Sequence, residues 1–406
     1  MRILFITWDG PQVNYLETLF LPIFVRLKAH GFYFDILQFR WGDRLHQEAI
    51  GRACAAAGIG YRAVTVWRRA GSAGPLASAV LGGLQVRRAA RHFGSDVLMP
   101  RSVLPSLAVL AGRASQLRPV LLDADGLEID ERAEFSGMRS TGFAYRLLRD
   151  VESQMVRLAR AVLVRTAATR DILVARAGPS VTLDRFHVVT NGRDAELFHP
   201  GDGERRRAVR SELGIANDAP LVLYIGSVGA RYRTRAIGEF ALELRKLRPD
   251  TRLLVLSGSP ETARTELIEA LPELAAFTTI TRANPTDVSR IASAADVGTA
   301  LIRPSFSTQG IAPVKTAEYL LCGVPVLGTA EVGDNQTALA QGVFFDEQRG
   351  LDEGARWVAE TVLPEREAFR ERARRVGVDR FSLDRSVCDY RIALEAMKAS
   401  LAEAAG

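Results

Sequence analysis

Between Ser307 and Thr329 the chain reads STQGIAPVKTAEYLLCGVPVLGT. These residue types, in this order, could hold an anion. Gly310 lets a backbone approach closely, Pro313 suits the first turn of a helix, and Lys315 adds a cation where a helix start is already partly positive. Something strongly negative is expected beside it. Glu318 follows one turn further in, on the face that continues toward Cys322, where a carboxylate can accept paired hydrogen bonds from vicinal hydroxyls such as those of a ribose. The plain alternative is a Lys–Glu surface pair three residues apart. The following CGVPVLGT favours the tighter placement, because a helix that ends in glycine and feeds a buried strand is held against a sheet.

A second cationic loop lies upstream, in YIGSVGARYRTRAIGEF from Tyr224 to Phe240. An apolar strand ends in Gly-Ser, Gly229 follows, Arg231, Arg233 and Arg235 come next, and a helical pattern begins. Such a loop can bring backbone N–H groups and guanidinium groups to an oxyanion, or it can simply be a solvated turn. Two cationic loops at the carboxyl ends of strands in one sheet could clamp a diphosphate from two sides.

The elements that must position these loops are short apolar strands alternating with longer helical patterns. Strands are expected at 2–7, 33–39, 63–67, 96–100, 119–124, 161–164 and 186–189, with helices such as 16–30 and 141–160 between them. The rhythm breaks in NGRDAELFHPGDGERR at 191–206, then restarts with strands at 220–227, 251–259, 277–281, 297–302, 325–329 and 342–346. Alternation of this kind means parallel sheets covered on both faces, and two such series mean two doubly wound α/β domains of Rossmann-like type. The expected division is residues 1–200 and 201–379, with a last helix at about 380–406 packing back on the first. Ligands of such sheets bind beyond the strands' carboxyl ends, so a cleft between two facing sheets is the expected site.

The bulk composition is that of a folded globular protein: 406 residues, 47% hydrophobic and 25% charged. Cys54, Cys322 and Cys388 are odd in number and far apart, which argues against a disulfide framework and for a reducing compartment. No stretch reaches the roughly 18 apolar residues of a membrane span, and the expected location is cytoplasmic. The net charge of +6 is uneven, with 26 Arg and Lys against 18 Asp and Glu in residues 1–200, leaving 27 against 29 in the rest. A basic first half suits an anionic partner such as a phosphorylated substrate or a membrane surface, or it reflects an arginine-rich composition, with 49 arginines beside four lysines. The stretch 71–94, rich in Ala, Gly and Leu and ending in Arg87, Arg88 and Arg91, could lie in a membrane interface or form a core-facing helix with a solvated end.

Other chemistries find little support. His30, His46, His92, His187 and His199 have no spacing suited to metal ligation, and neither Ser227 nor Ser257 sits in a nucleophile elbow. Nucleic-acid binding would need a basic stripe with interleaved aromatics, which is missing. Asp123, Asp125, Asp130 and Glu131 form an acidic cluster that could serve an acceptor as a general base, or could merely cap a turn.

Several of these segments carry a resemblance. VVTNGRDAELFHP at 188–200, LVLYIGSVG at 221–229, PVKTAEYLLCGVPVLGT at 313–329 and the tail RARRVGVDRFSLDRSV are similar to the retaining glycosyltransferases of the GT-B fold, family four, also known as group one. In the first half, ITWDGP after the first strand and LLDADGLEIDE at 121–131 resemble members that build bacterial surface polysaccharides. The resemblance implies a nucleotide-sugar donor on the second domain, an acceptor on the first, either a saccharide or a lipid-linked one, and transfer with retained configuration and neither bound metal nor cofactor.

Residue by residue, the resemblance assigns Lys315 with Arg231 or Arg233 to the leaving diphosphate and Glu318 to the ribose. It places Gly229 in the phosphate loop, Gln309, Gly310, Ile311, Ala312 and Pro313 along the donor, and Gly10 in a glycine loop near diphosphate and acceptor. Gly310 stands where the family has a sugar-binding glutamate, and Gln309 is the nearby substitute. On the acceptor side the resemblance points to Asp9, Arg101 and Asp125, the last two where members often carry a histidine. A nucleotide-sugar epimerase on the same fold and a non-catalytic nucleotide-sugar-binding partner of a transferase are the competing readings. Peripheral contact with the inner face of the cytoplasmic membrane would accompany a lipid-linked acceptor.

Overall fold

The structure, a computed structural model, describes residues 1–11, 14–68, 71, 73–283, 285–333 and 335–403. Ser72 of the apolar stretch and the last three residues of the anticipated terminal helix lie outside these. The chain divides into two compact units, one of 1–189 with 386–406 and one of 190–385. The first crossing thus falls eleven residues earlier than the expected boundary at 200, at Val189/Thr190, and the second falls inside the last helix, Leu383–Glu403. Arg193 lies beside the second crossing: its N–H donates to the Phe381 carbonyl at 2.9 Å, and Leu383 N–H donates to the Arg193 carbonyl at 2.8 Å.

In the first unit β1 (Arg2–Asp9), β2 (Tyr33–Arg40), β3 (Gly60–Thr65) and β4 (Val97–Pro100) form a parallel sheet in the order β3-β2-β1-β4. A second parallel sheet, β5 (Leu121–Asp125), β6 (Ala161–Val164) and β7 (Phe186–Val188), continues it through the bridges Leu98↔Val120 and Arg101↔Asp123. The strands are apolar runs because both faces are covered: Leu4 and Ile6 join Leu37, Phe39 and Leu98 on one side, and Phe5 meets Phe20 and Phe24 on the other.

Local chemistry moves two of the expected elements. β3 starts three residues early because Gly60 N–H donates to Asp35 Oδ1 at 3.0 Å, pinning the strand entry. The helix expected at 16–30 is a π turn, Leu16–Phe20, an α-helix, Leu21–Leu27, and a 3₁₀ turn, Lys28–His30, stopped by Gly31 at φ +79. Pro22 has no N–H to give the preceding turn, and the helix widens there.

The second unit is one six-stranded parallel sheet of β8 (Leu221–Ile225), β9 (Arg252–Leu256), β10 (Thr278–Thr281), β11 (Val297–Ala300), β12 (Val326–Gly328) and β13 (Phe344–Asp346), ordered β10-β9-β8-β11-β12-β13. Counted within the unit this is the 3-2-1-4-5-6 order of a dinucleotide-binding sheet, whose direction reverses between β8 and β11. Successive residues of β8 alternate between two cores, Leu221, Leu223 and Ile225 on one face and Val222 and Tyr224 on the other. Both cationic loops of the sequence leave the carboxyl ends of the two strands at this reversal.

Candidate functional site

Helix Val314–Leu321 carries Lys315 and Glu318, and Tyr319 fixes it to the sheet. The Tyr319 hydroxyl accepts from Ile225 N–H at 2.8 Å and donates to the Leu223 carbonyl at 3.2 Å, so the helix is tied to the last turn of β8. Its ring packs against β11 only because residue 298 is glycine; a Cβ there would stand 2.5 Å from the ring. Thr316 Oγ1 adds a bond to Asn335 Oδ1 at 3.2 Å. Pro313 is the residue before the helix, at ψ 107, rather than part of its first turn. This corrects the sequence expectation: the preceding 3₁₀ turn, Ser307–Gly310, leaves the chain extended through Ile311 to Pro313 before Val314 begins the helix.

With its helix held, Lys315 projects its ammonium between two aromatic rings. Nζ lies 4.3 Å from the Tyr224 ring centre and 4.5 Å from that of Tyr232, sealed from solvent and without a hydrogen-bond partner among the described residues. Gly226, at φ +129, leaves the room, since a Cβ there would meet Nζ at 3.2 Å. Burial, with the nearby Arg231 charge, lowers the lysine pKa to about 7, against a small opposing pull from Glu318. Two π faces offset part of the lost hydration, and among the described residues no carboxylate forms an ion pair with it.

Glu318 is not paired with Lys315 at all. Arg193 Nη2 meets its Oε1 at 2.8 Å, both side chains being nearly covered. Burial raises the carboxyl pKa, and Arg193 and Lys315 pull it back only in part. The surface-pair alternative is thereby set aside in favour of an inward-facing carboxylate with one guanidinium on it.

The two loop arginines separate clearly. Arg231 sits over the Tyr232 ring at 5.0 Å, donates to that tyrosine's hydroxyl at 2.7 Å, and adds its field to Lys315. Arg233 turns away to an ion pair with the buried carboxylate of Glu347, whose other oxygen accepts from Thr329 Oγ1 at 2.8 Å. Gly229, at φ +130, takes a conformation open to glycine, and its carbonyl accepts from Tyr232 N–H at 2.8 Å. Of the donor-side stretch, Gly310 is buried, Ile311, Ala312 and Pro313 are half-buried, and Gln309 is exposed with its amide donating to the Phe306 carbonyl at 3.3 Å.

In the first unit Gly10 owes its size to packing: a Cβ there would stand 2.5 Å from the Trp41 ring. Asp9 is buried, and its Oδ2 accepts from Thr7 Oγ1 at 2.8 Å and Gln38 Nε2 at 3.0 Å. Arg101 and Asp125 form an ion pair at the carboxyl ends of β4 and β5. Beside them Arg165 Nη2 lies 2.9 Å from each oxygen of Asp123, and its Nε lies 3.3 Å from Asp125 Oδ1. Burial works against the charge on Asp125, but the two guanidinium groups outweigh it and hold its carboxyl below the usual range. Ser102 and Asp125 both have positive φ, 68 and 60, so the turns after both strands are strained. The acidic cluster is therefore an arginine-compensated network; Asp130 is likewise claimed by Arg176 at 2.8 and 3.0 Å and by the Tyr145 hydroxyl at 2.9 Å.

The stretch 71–94 contains helix Ala73–His92, with one face inward and one outward. Gly82 and Gly83 face inward, where a Cβ on Gly83 would stand 2.4 Å from the Gly112 backbone, while Val80, Leu81 and Leu84 are exposed on the outer side with Arg88 and Arg91 further along. Among the described residues no helix is long and apolar enough to cross a membrane, and no group of three His, Cys, Asp or Glu could hold a metal ion.

Tyr224, Tyr232, Gly226, Arg193 and Glu347 carry this geometry without having been singled out. The first three stand in the quoted loop, where an aromatic on each side of a glycine turn was a usable signal; Arg193 stands in the NGRD segment. Nothing local announces Glu347.

No family model matches the chain. It is 29% identical over 136 residues to alpha-maltose-1-phosphate synthase of Mycolicibacterium smegmatis, covering 33% of this chain and 34% of that protein. It is 30% identical over 233 residues to D-inositol 3-phosphate glycosyltransferase of Nocardia farcinica, covering 56% of this chain and 49% of that one. The chain thus spans between a third and a half of the length of these curated relatives. Among solved structures it superposes on Anabaena HepE in complex with UDP-glucose with a TM-score of 0.69 at 17% identity, covering 98% of this chain and 100% of that one. Two Rossmann-like units of parallel sheet, and a likeness that runs over nearly the whole chain, make this a GT-B fold.

Proposed function

We propose that the chain is a glycosyltransferase that takes a sugar from a nucleoside diphosphate donor and passes it, with retention and without a metal, to a saccharide or lipid-linked acceptor in surface polysaccharide synthesis. The observation that carries the reading is Lys315: a buried ammonium with no ion-pair partner among the described residues, at the reversal point of a dinucleotide-type sheet. Similarity to two curated enzymes that handle sugars and phosphates supports it.

In this reading the donor's diphosphate lies against Lys315 and Arg231, and Arg233 is left to its structural pair with Glu347. As the C1–O bond breaks, its electron pair goes to the diphosphate, and Lys315, protonated in the presence of the anion, offsets that charge together with Arg231. Glu318, oriented by Arg193, accepts the ribose hydroxyls. Gly229 lets the loop backbone approach, and residues 309–313 line the sugar. Gly10, Asp9, Arg101 and Asp125 belong to the acceptor side, the last two presented as a pair. The exposed Val80, Leu81 and Leu84 beside Arg88 and Arg91 suit peripheral contact with an anionic membrane surface, on its cytoplasmic side.

The test is a panel of nucleotide sugars, with and without chelator, followed by thermal shift and by release of nucleoside diphosphate. Stabilisation by a donor and chelator-insensitive release are expected, and Lys315→Ala should remain folded while losing turnover. No shift with any donor overturns the reading. A shift with no turnover over an acceptor panel would instead favour a nucleotide-sugar-binding partner of a transferase, a second reading motivated by Gly310 in the place of a sugar-binding carboxylate.

A further inference from the structure

A pocket of about 470 Å³ opens in the second unit at the start of helix Thr234–Leu247, within the range of about 300 to 1,000 Å³ common for small-molecule sites. Lys315 and Glu318 do not line it, but Gly229 and Arg233 of the arginine loop do. Its floor is the first turn of a 14-residue helix whose preceding residue, Arg233, supplies no side-chain cap. Thr234 lines the pocket at 4% exposure, and its Oγ1 has no hydrogen-bond partner among the described residues. On the rim, the Arg303 guanidinium and the Glu266 carboxylate both lack a partner among the described residues, whereas Arg235 is taken up by Glu239 at 2.8 Å.

We infer that this pocket is a second oxyanion site, one that takes a phosphorylated monosaccharide. The uncapped helix start, the unsatisfied Thr234 hydroxyl and the free Arg303 converge on one phosphate group. The free Glu266 would repel a bare polyanion but accepts hydrogen bonds from hydroxyls, so the ligand has one anionic end and a hydroxylated body. Tyr232 belongs to both places: it lines this pocket, and its ring covers Lys315. Occupancy is therefore felt at the lysine as a change in donor affinity. The inference goes beyond the donor reading, and because Gly229 is common to both, displacement by UDP-glucose is the measurement that tells the two sites apart.

The test is calorimetric titration of the full chain with inorganic phosphate, with glucose 6-phosphate and with glucose, alone and after saturation with UDP-glucose. Glucose 6-phosphate should bind about tenfold tighter than phosphate, and glucose should not bind. Thr234→Val and Arg303→Ala should each weaken both phosphate probes about tenfold, and Glu266→Gln should weaken the sugar phosphate alone. Because Arg303 is exposed, its variant tests the site even if Thr234→Val unfolds. No binding of either phosphate probe at about 10 mM overturns the inference, as does one-for-one displacement by UDP-glucose or indifference to Arg303→Ala. Phosphate binding without donor binding would sink the donor reading alone.

Discussion

Both units place buried cations at the carboxyl ends of strands near their sheet's reversal, and they treat those cations in opposite ways. In the first unit Arg101 and Arg165 face Asp123 and Asp125, two charges against two, with Arg165 1% exposed and Asp123 fully buried. In the second, Lys315 faces two tyrosine rings and, among the described residues, pairs with no acid. A buried charge whose counter-charge is built in is part of the fold; a buried charge whose counter-charge is absent is held ready for a ligand. The difference also separates the two arginines of the phosphate loop, because Arg233 is turned to the Glu347 carboxylate whereas Arg231 lies over the Tyr232 ring and adds its field to Lys315.

The largest effect should come from breaking the compensated side. Arg165→Met leaves Asp123 buried without its partner and should cost about 3 to 5 kcal/mol, read as a fall in the urea midpoint. A loss below about 1 kcal/mol would mean that the quartet is not the keystone its burial suggests. On the other side, Lys315→Met should leave the urea midpoint unchanged or higher while lowering turnover by about 10² to 10³ fold, the scale of losing one stabiliser of developing charge. An equal loss of stability in both variants would erase the contrast.

A third measurement uses pH. Lys315 titrates at about 7 in the fold and near 10.5 in the unfolded chain, so between those values the unfolded chain binds the extra proton and this lysine's share of stability rises with pH. Wild type should therefore gain on Lys315→Met as pH increases from 7 toward 10.5. Donor binding has the opposite slope: the anion requires the protonated amine, and above pH 7 its affinity should fall by up to about tenfold per pH unit, with a proton taken up on binding. A flat profile in both would place the counter-charge elsewhere. The smallest effect is expected from Gly226→Ala, which strains a φ of +129 and crowds Nζ, at a cost of about 1 to 3 kcal/mol in stability and a weakened donor affinity.

Much of this was legible in the residues. The alternation of apolar runs and helical patterns was enough for two parallel α/β series, since strands buried on both faces must be apolar throughout, and the polar, glycine- and proline-bearing segment at 191–206 marked the break between them. Lys315 and the arginine loop could be picked out because a cation at a helix start is chemically odd. Their partners could not: Arg193 and Glu318 are 125 positions apart, Arg233 and Glu347 114, and only the folded sheet brings them together. The acidic cluster's partners were hidden for the same reason, since Arg165 and Arg176, which pair with it, come from later elements.

The aromatic cage has a consequence for the choice of amino acid. The chain uses arginine almost to the exclusion of lysine, 49 against four, yet a lysine occupies this one position. A guanidinium keeps its charge at every accessible pH, so arginine in this place would be a permanent ion shut in a dry chamber. An amine can shed its proton while it waits between the two rings and regain it when a polyanion comes near. Lys315 can thus serve as a rechargeable contact, idle at low cost in the empty protein and fully charged when occupied, a behaviour that none of the forty-nine arginines could supply.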